Sequence, residues 1–299
     1  MIAVELLKLV RRVRTWVSIV LICALPLIVA VFIAVTHLAP PPGQGSAFLS
    51  AVLDDGQLYP AAALALVLPV FLPVAVAVVA GDSIAGEASA GTLRYLLARP
   101  VGRTRLLVAK LVAVITFAVM AVVAVTVTSY ATGVLILGPS RAEAVGTVPG
   151  AVSGSIAPGA GGVPTAGLQA GGAITSLSGA PLTTLDLAER VLGAVAFITV
   201  SMLGVAAIAL FLSTLTNSAI GAALGALAAL VVSEILVTLN AASAVQPYLP
   251  TRYWLAWIDF FRQPILWRDI QRGFAIQAVY VVIFLAAAWA NFATRDITD

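Results

Sequence analysis

Residues 191–233 read VLGAVAFITVSMLGVAAIALFLSTLTNSAIGAALGALAALVVS, and no charged side chain occurs between Arg190 and Glu234. A helix needs about 20 apolar residues to cross the hydrocarbon core of a bilayer, which is about 30 Å thick. The stretch is long enough for two such helices, and the polar run 213–218 offers turn residues between them. This part of the chain therefore predicts a pair of membrane-spanning helices.

The rest of the chain has the same character. Of 299 residues, 61% are hydrophobic and 10% charged, with a mean hydropathy of +1.09, whereas soluble domains are about a quarter charged. The sequence predicts an all-α integral membrane protein with one membrane domain over 1–299 and both termini on the same side. Its six apolar spans cover about 16–36, 60–80, 107–137, 190–213, 218–239 and 273–294.

Several kinds of chemistry are excluded by residue counts. The only cysteine, Cys23, and the only histidine, His37, cannot form a disulfide framework or a zinc site. Neither lysine, Lys8 or Lys110, precedes a serine or threonine, so the chain has no Walker A motif. We therefore expect no catalytic residues, bound metal or cofactor. The net charge of +3 comes from basic residues at membrane edges, which are typical topology signals and give no reason to expect nucleic-acid binding.

The distribution of basic residues predicts the orientation. With a cytoplasmic N-terminus, most of them fall on the cytoplasmic side, as the positive-inside rule requires. The second half of the chain conflicts with the rule, because four arginines lie between the fifth and sixth spans. The first spans usually determine the orientation of the whole chain, so we expect both termini in the cytoplasm. The four exceptions are Arg252, Arg262, Arg268 and Arg272.

The N-terminus predicts an amphipathic helix in the cytoplasmic membrane interface, with a solvated helix end as the alternative. Its apolar face comprises Ile2, Leu6, Leu9 and Val13. Its polar face comprises Glu5, Lys8 and Arg12.

Two segments are expected on the outer side. Residues 138–188 are rich in glycine and predict an irregular extracytoplasmic loop. The region between the fifth and sixth spans predicts a short helix or re-entrant hairpin, ending at Pro264, with Trp254, Trp257 and Phe261 on one face. Those aromatic residues fit an anchor at the lipid headgroups or, alternatively, a substrate gate.

Inside the fifth span, three residues carry hypotheses. Glu234 is the only ionisable residue well within a span, near its outer end, and predicts a cavity or gate residue. Gly221 and Gly225 form a small-xxx-small pair, which fits either a homodimer interface or tight packing within one subunit.

The cytoplasmic segment 81–106 reads GDSIAGEASAGTLRYLLARPVGRTRL. Gly91 can end the helix that continues from the second span, and Thr92 can cap a new short helix that Pro100 ends. Leu93, Leu96 and Leu97 give that helix an apolar face. The pattern predicts either a docking element for a soluble partner or a connecting loop.

An ordered string within and after this segment resembles the signature of ABC-2 type permeases. The string comprises Gly86-Glu87, Gly91-Thr92-Leu93-Arg94, Leu96-Leu97, Arg99-Pro100-Val101, Arg103, Leu106-Leu107 and Lys110. Within that family it is similar to the branch that includes the nitrous-oxide-reductase maturation permease and many bacterial drug-export permeases.

The resemblance implies a permease that works as a homodimer or paired permease with two copies of a separate ATP-binding subunit, which would carry ATP and Mg²⁺. It further implies export of a drug, lipid or other small molecule across a bacterial cell membrane by alternating access. Glu87 would pair with Arg94 or with a basic residue of the ATPase. The implied coupling residues are Glu87, Gly91, Thr92, Leu93, Arg94, Leu96, Leu97, Arg99, Pro100 and Arg103. The alternative function is a membrane scaffold or an ATP-independent transporter.

Overall fold

The computed structural model describes residues 1–36, 56–91, 102–138, 174–176, 178 and 181–294. The described residues form eight α-helices: α1 (Ile2–Arg11), α2 (Val13–Thr36), α3 (Tyr59–Val67), α4 (Phe71–Ser89), α5 (Arg103–Thr132), α6 (Thr184–Leu215), α7 (Ala219–Thr238) and α8 (Trp267–Thr294). A π-helical segment, Gly133–Leu137, extends α5. Short 3₁₀ segments cover Gly56–Leu58, Asn240–Ala242, Gln246–Tyr248 and Trp254–Phe261. Two two-residue strands, β1 (Ile174–Thr175) and β2 (Pro181–Leu182), pair antiparallel.

Within the described residues, six helices are long and apolar enough to cross a membrane: Val13–Thr36, Phe71–Ser89, Thr104–Leu137, Thr184–Leu215, Ala219–Thr238 and Trp267–Thr294. The all-α architecture with six candidate spans, predicted from the sequence, is thereby confirmed. Most of the predicted loop 138–188 lies outside the described residues.

Span boundaries differ from the sequence estimates in the second, fourth and sixth spans. The second stretch, 60–80, is divided into α3 and α4 by a break at 68–70, where Pro69 lacks the amide hydrogen that a continuous helix needs. Helix α4 then continues to Ser89, through the first part of the cytoplasmic segment. Helix α6 begins at Thr184, before its predicted start, because Thr183 and Asp186 form a capping box. Helix α8 begins at Trp267 rather than at 273.

Helices α4 and α6 form the centre of the bundle, with α7 packed on both and α8 packed on α6. Their contact is apolar: Leu72, Val76, Phe197 and Val205 are almost completely buried. Burial of such side chains stabilises the bundle through close packing, since lipid tails are as apolar as the side chains themselves. Helices α2 and α8 leave most of their apolar surface exposed, as membrane-facing helices do.

Polar contacts define which helix ends lie together. Ser213 near the end of α6 accepts hydrogen bonds from the Ile84 and Ala85 amides and donates one to the Gly81 carbonyl, at 3.2, 2.9 and 2.7 Å. The Asn291 amide, near the end of α8, donates to Thr214 at 3.1 Å. The C-terminal ends of α4, α6 and α8 therefore meet at one end of the bundle, which we call the α1 end because α1 also packs there. Residues 240–266 lie at the opposite end.

Candidate functional site: an ion-pair cluster at the α1 end

Four charged side chains from three helices meet at the α1 end. On α4, the Glu87 carboxylate lies 2.8 Å from Lys110 Nζ of α5 and 3.1 Å from Lys8 Nζ of α1. Glu5 of α1 completes the group, 3.0 Å from Lys8 Nζ and 3.7 Å from Lys110 Nζ. The ion-pair cluster, as we call Glu5, Lys8, Glu87 and Lys110, joins α1, α4 and α5 through charge.

The cluster is largely shielded from solvent. The Lys110 side chain is 2% exposed, and those of Glu87 and Glu5 are 7% and 9% exposed, while that of Lys8 is 37% exposed. Two lysines and two carboxylates balance one another, which is the arrangement in which buried charges are tolerated. Both lysines of the chain take part.

The position of Lys8 affects its protonation. Burial lowers the pKa of Lys8, but the hydrogen bond with Glu5 and the negative charges of Glu87 and Glu5 outweigh burial, so the pKa lies above its ordinary value. Lys8 is therefore a cation at neutral pH, as its two ion pairs require.

A second set of ion pairs lies beside the cluster. Arg12 Nη1, just beyond α1, donates to Asp82 Oδ2 of α4 at 2.8 Å, and Arg14 lies 3.8 Å from the same carboxylate. Helix α1 and the start of α2 are thus held to α4 at two levels, by Glu87 and by Asp82.

These contacts correct the predicted orientation of α1. Glu5 is buried against the bundle and Lys8 and Arg12 bond to α4, whereas the sequence placed this polar face away from the membrane. Leu9, predicted on the lipid face, is also buried against the bundle, while Val13 is exposed. The reason is that Glu87 and Asp82 on α4 offer partners for the polar face, which periodicity within α1 cannot reveal. Exposed Val4, Leu7 and Val10 supply the apolar outer face.

The predicted docking element follows the cluster directly. Helix α4 ends at Ser89, and Gly91 takes φ of +68°, a left-handed conformation that favours glycine, as expected for a residue that ends the helix. Thr92, Leu93, Arg94, Leu96, Leu97, Arg99 and Pro100 lie outside the described residues, and so does the side chain of Arg103. For Glu87, the described residues include two basic partners, Lys8 and Lys110. A pairing with Arg94, which lies outside the described residues, or with a basic residue of the ATPase stays a prediction.

A sequence model of the family described as ABC-2 family transporter protein matches residues 1–150. The chain belongs to this family. The match includes α1 to α5, and thus all members of the ion-pair cluster. A comparison with curated proteins finds no match. ABC-2 permeases are membrane transport components that normally pair with an ATP-binding subunit and are generally not catalytic themselves. Together with six apolar helices, family membership makes this chain a multi-pass membrane protein.

The aromatic residues proposed for the outer side of this permease lie inside the bundle. Trp254, Trp257 and Phe261 are buried in the 3₁₀ segment Trp254–Phe261, which packs against α6 and α8. The rings of Trp257 and Phe261 meet edge to face with centroids 6.0 Å apart. Buried rings do not reach the lipid headgroups, so the anchor interpretation of Trp254 and Trp257 is wrong, while a gate role stays a prediction.

The hypotheses on α7 remain open. Glu234 is exposed, near the end of α7 that lies away from the cluster. Gly221 is exposed, and a Cβ at Gly225 would lie 3.1 Å from Leu212 of the same chain. A close helix approach is found instead between Gly81 of α4 and Ala223 of α7, where a Cβ on Gly81 would lie 2.9 Å from the Ala223 amide nitrogen. A dimer interface at Gly221 and Gly225 therefore stays a prediction.

Sequence reasoning missed the cluster as a unit. It placed Glu5 and Lys8 on the polar face of the N-terminal helix and Lys110 in the string that resembles ABC-2 permeases, without bringing the three together. A signal did exist, because Lys110 stands within an apolar stretch where an isolated charge needs a partner.

Proposed function

We propose that the chain is the permease subunit of an ATP-binding cassette exporter, driven by two copies of a separate ATP-binding subunit. The observation that carries this proposal, beyond family membership, is the ion-pair cluster next to the predicted docking element. Glu87 lies in the last turn of α4, just before Gly91, and is bound to both α1 and α5.

The cluster is suited to transmit displacement. A movement of residues 92–100 pulls on the end of α4 and on the start of α5, between which those residues run. Since Lys110 is buried and pairs with Glu87, separating α4 from α5 would expose uncompensated charges. The two helix ends and α1 therefore move together.

Ser213 extends the same unit to α6. Its three hydrogen bonds join the end of α6 to residues 81–85 of α4. We infer that closure of the ATP-binding subunits shifts these joined helix ends and opens a path to the outside, which is alternating access. The cargo is a drug, lipid or other small molecule taken from the cytoplasm or inner leaflet.

The proposal includes a homodimer with α7 at its interface, a bacterial cell membrane and cytoplasmic termini. The α1 end, which carries the cluster and the predicted docking element, is then the cytoplasmic end. The resemblance of residues 86–110 to the branch with nitrous-oxide-reductase maturation and drug-export permeases supports these assignments.

The test is coupled ATPase activity. The reading frames next to the gene are searched for a P-loop ATPase, which is co-expressed with the chain, purified as a complex and reconstituted in lipid, and hydrolysis is measured across a panel of substrates. We expect Glu87→Ala with Arg94→Ala to lower substrate-stimulated hydrolysis by about 5–150-fold, the range of typical coupling energies. The single variant Arg94→Ala is measured as well, because it leaves the ion-pair cluster intact. A loss of stimulation in this variant therefore does not result from misfolding caused by the loss of Glu87.

Arg268→Ala is the matched control, since it removes an exposed arginine at the opposite end of the bundle. The complex with Arg268→Ala should show the same substrate-stimulated ATP hydrolysis as the wild type. Full stimulation in the double variant would contradict the coupling role of these residues. Transport by the chain alone, without any ATPase, would show the ATP-independent alternative instead.

A further inference from the structure

A basic groove lies at the end of the bundle opposite the cluster. It consists of two adjoining pockets of about 320 and 510 Å³ that share Arg252, Tyr253 and Arg272. The larger pocket is also lined by Gln246, Tyr248 and Ile276. We use the name basic groove for these six residues.

The groove is at the level where α8 begins. Arg272 is in the second turn of α8, whose other end bonds to Thr214 and Thr104 through Asn291 and Trp289. The groove therefore lies at the edge of the apolar region, a full helix length from the ion-pair cluster.

Its two arginines have unused donors among the residues that the structure describes. The guanidinium groups of Arg252 and Arg272 form no hydrogen bond or ion pair with any side chain or carbonyl in the part of the chain that the structure describes. The nearby Asp259 is already paired with Arg262 at 3.0 Å. Asp269 faces the smaller pocket only. Of the described residues that line the larger pocket, two are cationic and none is acidic.

The walls of the groove are held in place by the bundle. The Tyr280 hydroxyl donates to the Tyr248 carbonyl at 3.1 Å, and the Gln277 amide donates to the Pro250 carbonyl at 2.7 Å. Residues 248–250 are thereby attached to α8. A preformed site loses little conformational entropy on binding.

Apolar surface continues from the groove along α8. Ile276 lines the groove, and Val279 and Val282 beyond it are exposed. A ligand with a negatively charged head and an apolar tail would contact the arginines with its head and the apolar surface of α8 with its tail. A soluble anion would contact only the arginines.

We propose that the basic groove binds an anionic phospholipid, with its phosphate between Arg252 and Arg272 and its acyl chains along α8. Guanidinium groups bind phosphate through two parallel hydrogen bonds, which favours arginine at such a position. The site also gives a reason for arginines on the side where the positive-inside rule disfavours them. The proposal does not depend on the ATPase or on the coupling role of Glu87.

The test uses the full-length protein, stripped of lipid in a neutral detergent, with bound lipid counted by native mass spectrometry. Phosphatidylglycerol and phosphatidylcholine with the same acyl chains are titrated separately. We expect tighter binding of phosphatidylglycerol, and Arg252→Gln with Arg272→Gln should weaken it at least about tenfold, which is about 1.4 kcal/mol. Arg268→Gln, a matched loss of one exposed arginine outside the groove, should bind like the wild type.

A second double variant, Arg252→Lys with Arg272→Lys, keeps the charge and removes the planar fork, and should bind with intermediate affinity. Equal binding by the wild type and the glutamine double variant would overturn the proposal. Equal affinity for the two lipids would also overturn it. Displacement of phosphatidylglycerol by millimolar inorganic phosphate, with retention of phosphate in the groove, would assign the site to a soluble anion instead.

Discussion

Lys110 of this permease is a buried lysine that requires carboxylate partners. It is 2% exposed within a membrane helix, and removing one partner of a buried ion pair is strongly destabilising. Glu87 supplies the nearer carboxylate, at 2.8 Å, and Glu5 the more distant one, at 3.7 Å. Glu87 therefore has a structural role that does not depend on any contact with an ATPase.

Glu87→Gln should lower the free energy of unfolding by about 3–5 kcal/mol, because it leaves a buried lysine without its main partner. Denaturant titration of the purified protein in micelles measures this loss. Glu234→Gln, a matched change of an exposed glutamate on α7, should change stability by no more than about 0.5 kcal/mol. Similar effects of the two variants would contradict the buried-pair interpretation.

Lys8 makes the attachment of α1 depend on pH. The folded protein holds this lysine at a pKa above the unfolded value of 10.5. Its stabilising contribution is therefore complete below about pH 10.5 and is lost as the pH rises through the higher folded value. A spin label on Val4→Cys, in a Cys23→Ser background, should become more mobile in that alkaline range.

Lys8→Met is the control for this titration, because it removes the titrating group while keeping an apolar stem. The alkaline transition of the label should disappear in this variant. A transition that persists at the same midpoint in Lys8→Met would assign the effect to another group.

At the scale of elements, the contact between α4 and α7 depends on the absence of a side chain at Gly81. A Cβ there would lie 2.9 Å from the Ala223 amide nitrogen and 3.2 Å from the Ala219 carbonyl. Both atoms belong to the backbone of α7, which cannot rotate away as a side chain could. Small residues at such crossings allow helices in membranes to pack closely.

Gly81→Ala should therefore destabilise the bundle by about 1–3 kcal/mol through overpacking, despite the better helix propensity of alanine. The denaturant titration used for Glu87→Gln measures this loss of the free energy of unfolding. Gly221→Ala on α7 is the control, since the nearest atoms to its added methyl belong to the Ser218 and Thr216 side chains, at 3.3 and 3.8 Å, and not to a backbone. Gain of stability in both variants would show that α4 and α7 are not closely packed here.

The elements also show where sequence periodicity was a sufficient guide. The end of α4 before Gly91 follows from local backbone chemistry and was predicted. The break near Pro69 was not, because the second stretch was predicted as one continuous span. Ser213 was predicted as part of a turn, but it is a buried hydrogen-bonding residue between α6 and α4, since its partners are distant in the sequence.

For the whole molecule, the fold gives a testable topology. Asn217 lies in the turn between α6 and α7 at the α1 end, and Ser243 lies beyond α7 at the opposite end, both exposed. With a cytoplasmic N-terminus, Ser243→Cys should react with a membrane-impermeant maleimide on intact cells. Asn217→Cys should react only after permeabilisation, each in a Cys23→Ser background.

The unsubstituted Cys23→Ser protein serves as the control for background labelling. The reverse pattern would place the N-terminus outside and would move the ion-pair cluster to the outer side. Labelling of both positions from the same side would contradict the crossing of α7.

The amino-acid sequence by itself determined the class of protein, the six spans and the end of α4 before Gly91. These properties depend on apolar length and local backbone chemistry, so neighbouring residues are enough to establish them. Only the tertiary structure decided the partners of Glu87 and the direction of the polar face of α1. Charges on α1, α4 and α5 become neighbours through helix packing, and no periodicity within one helix records which other helix will lie against it.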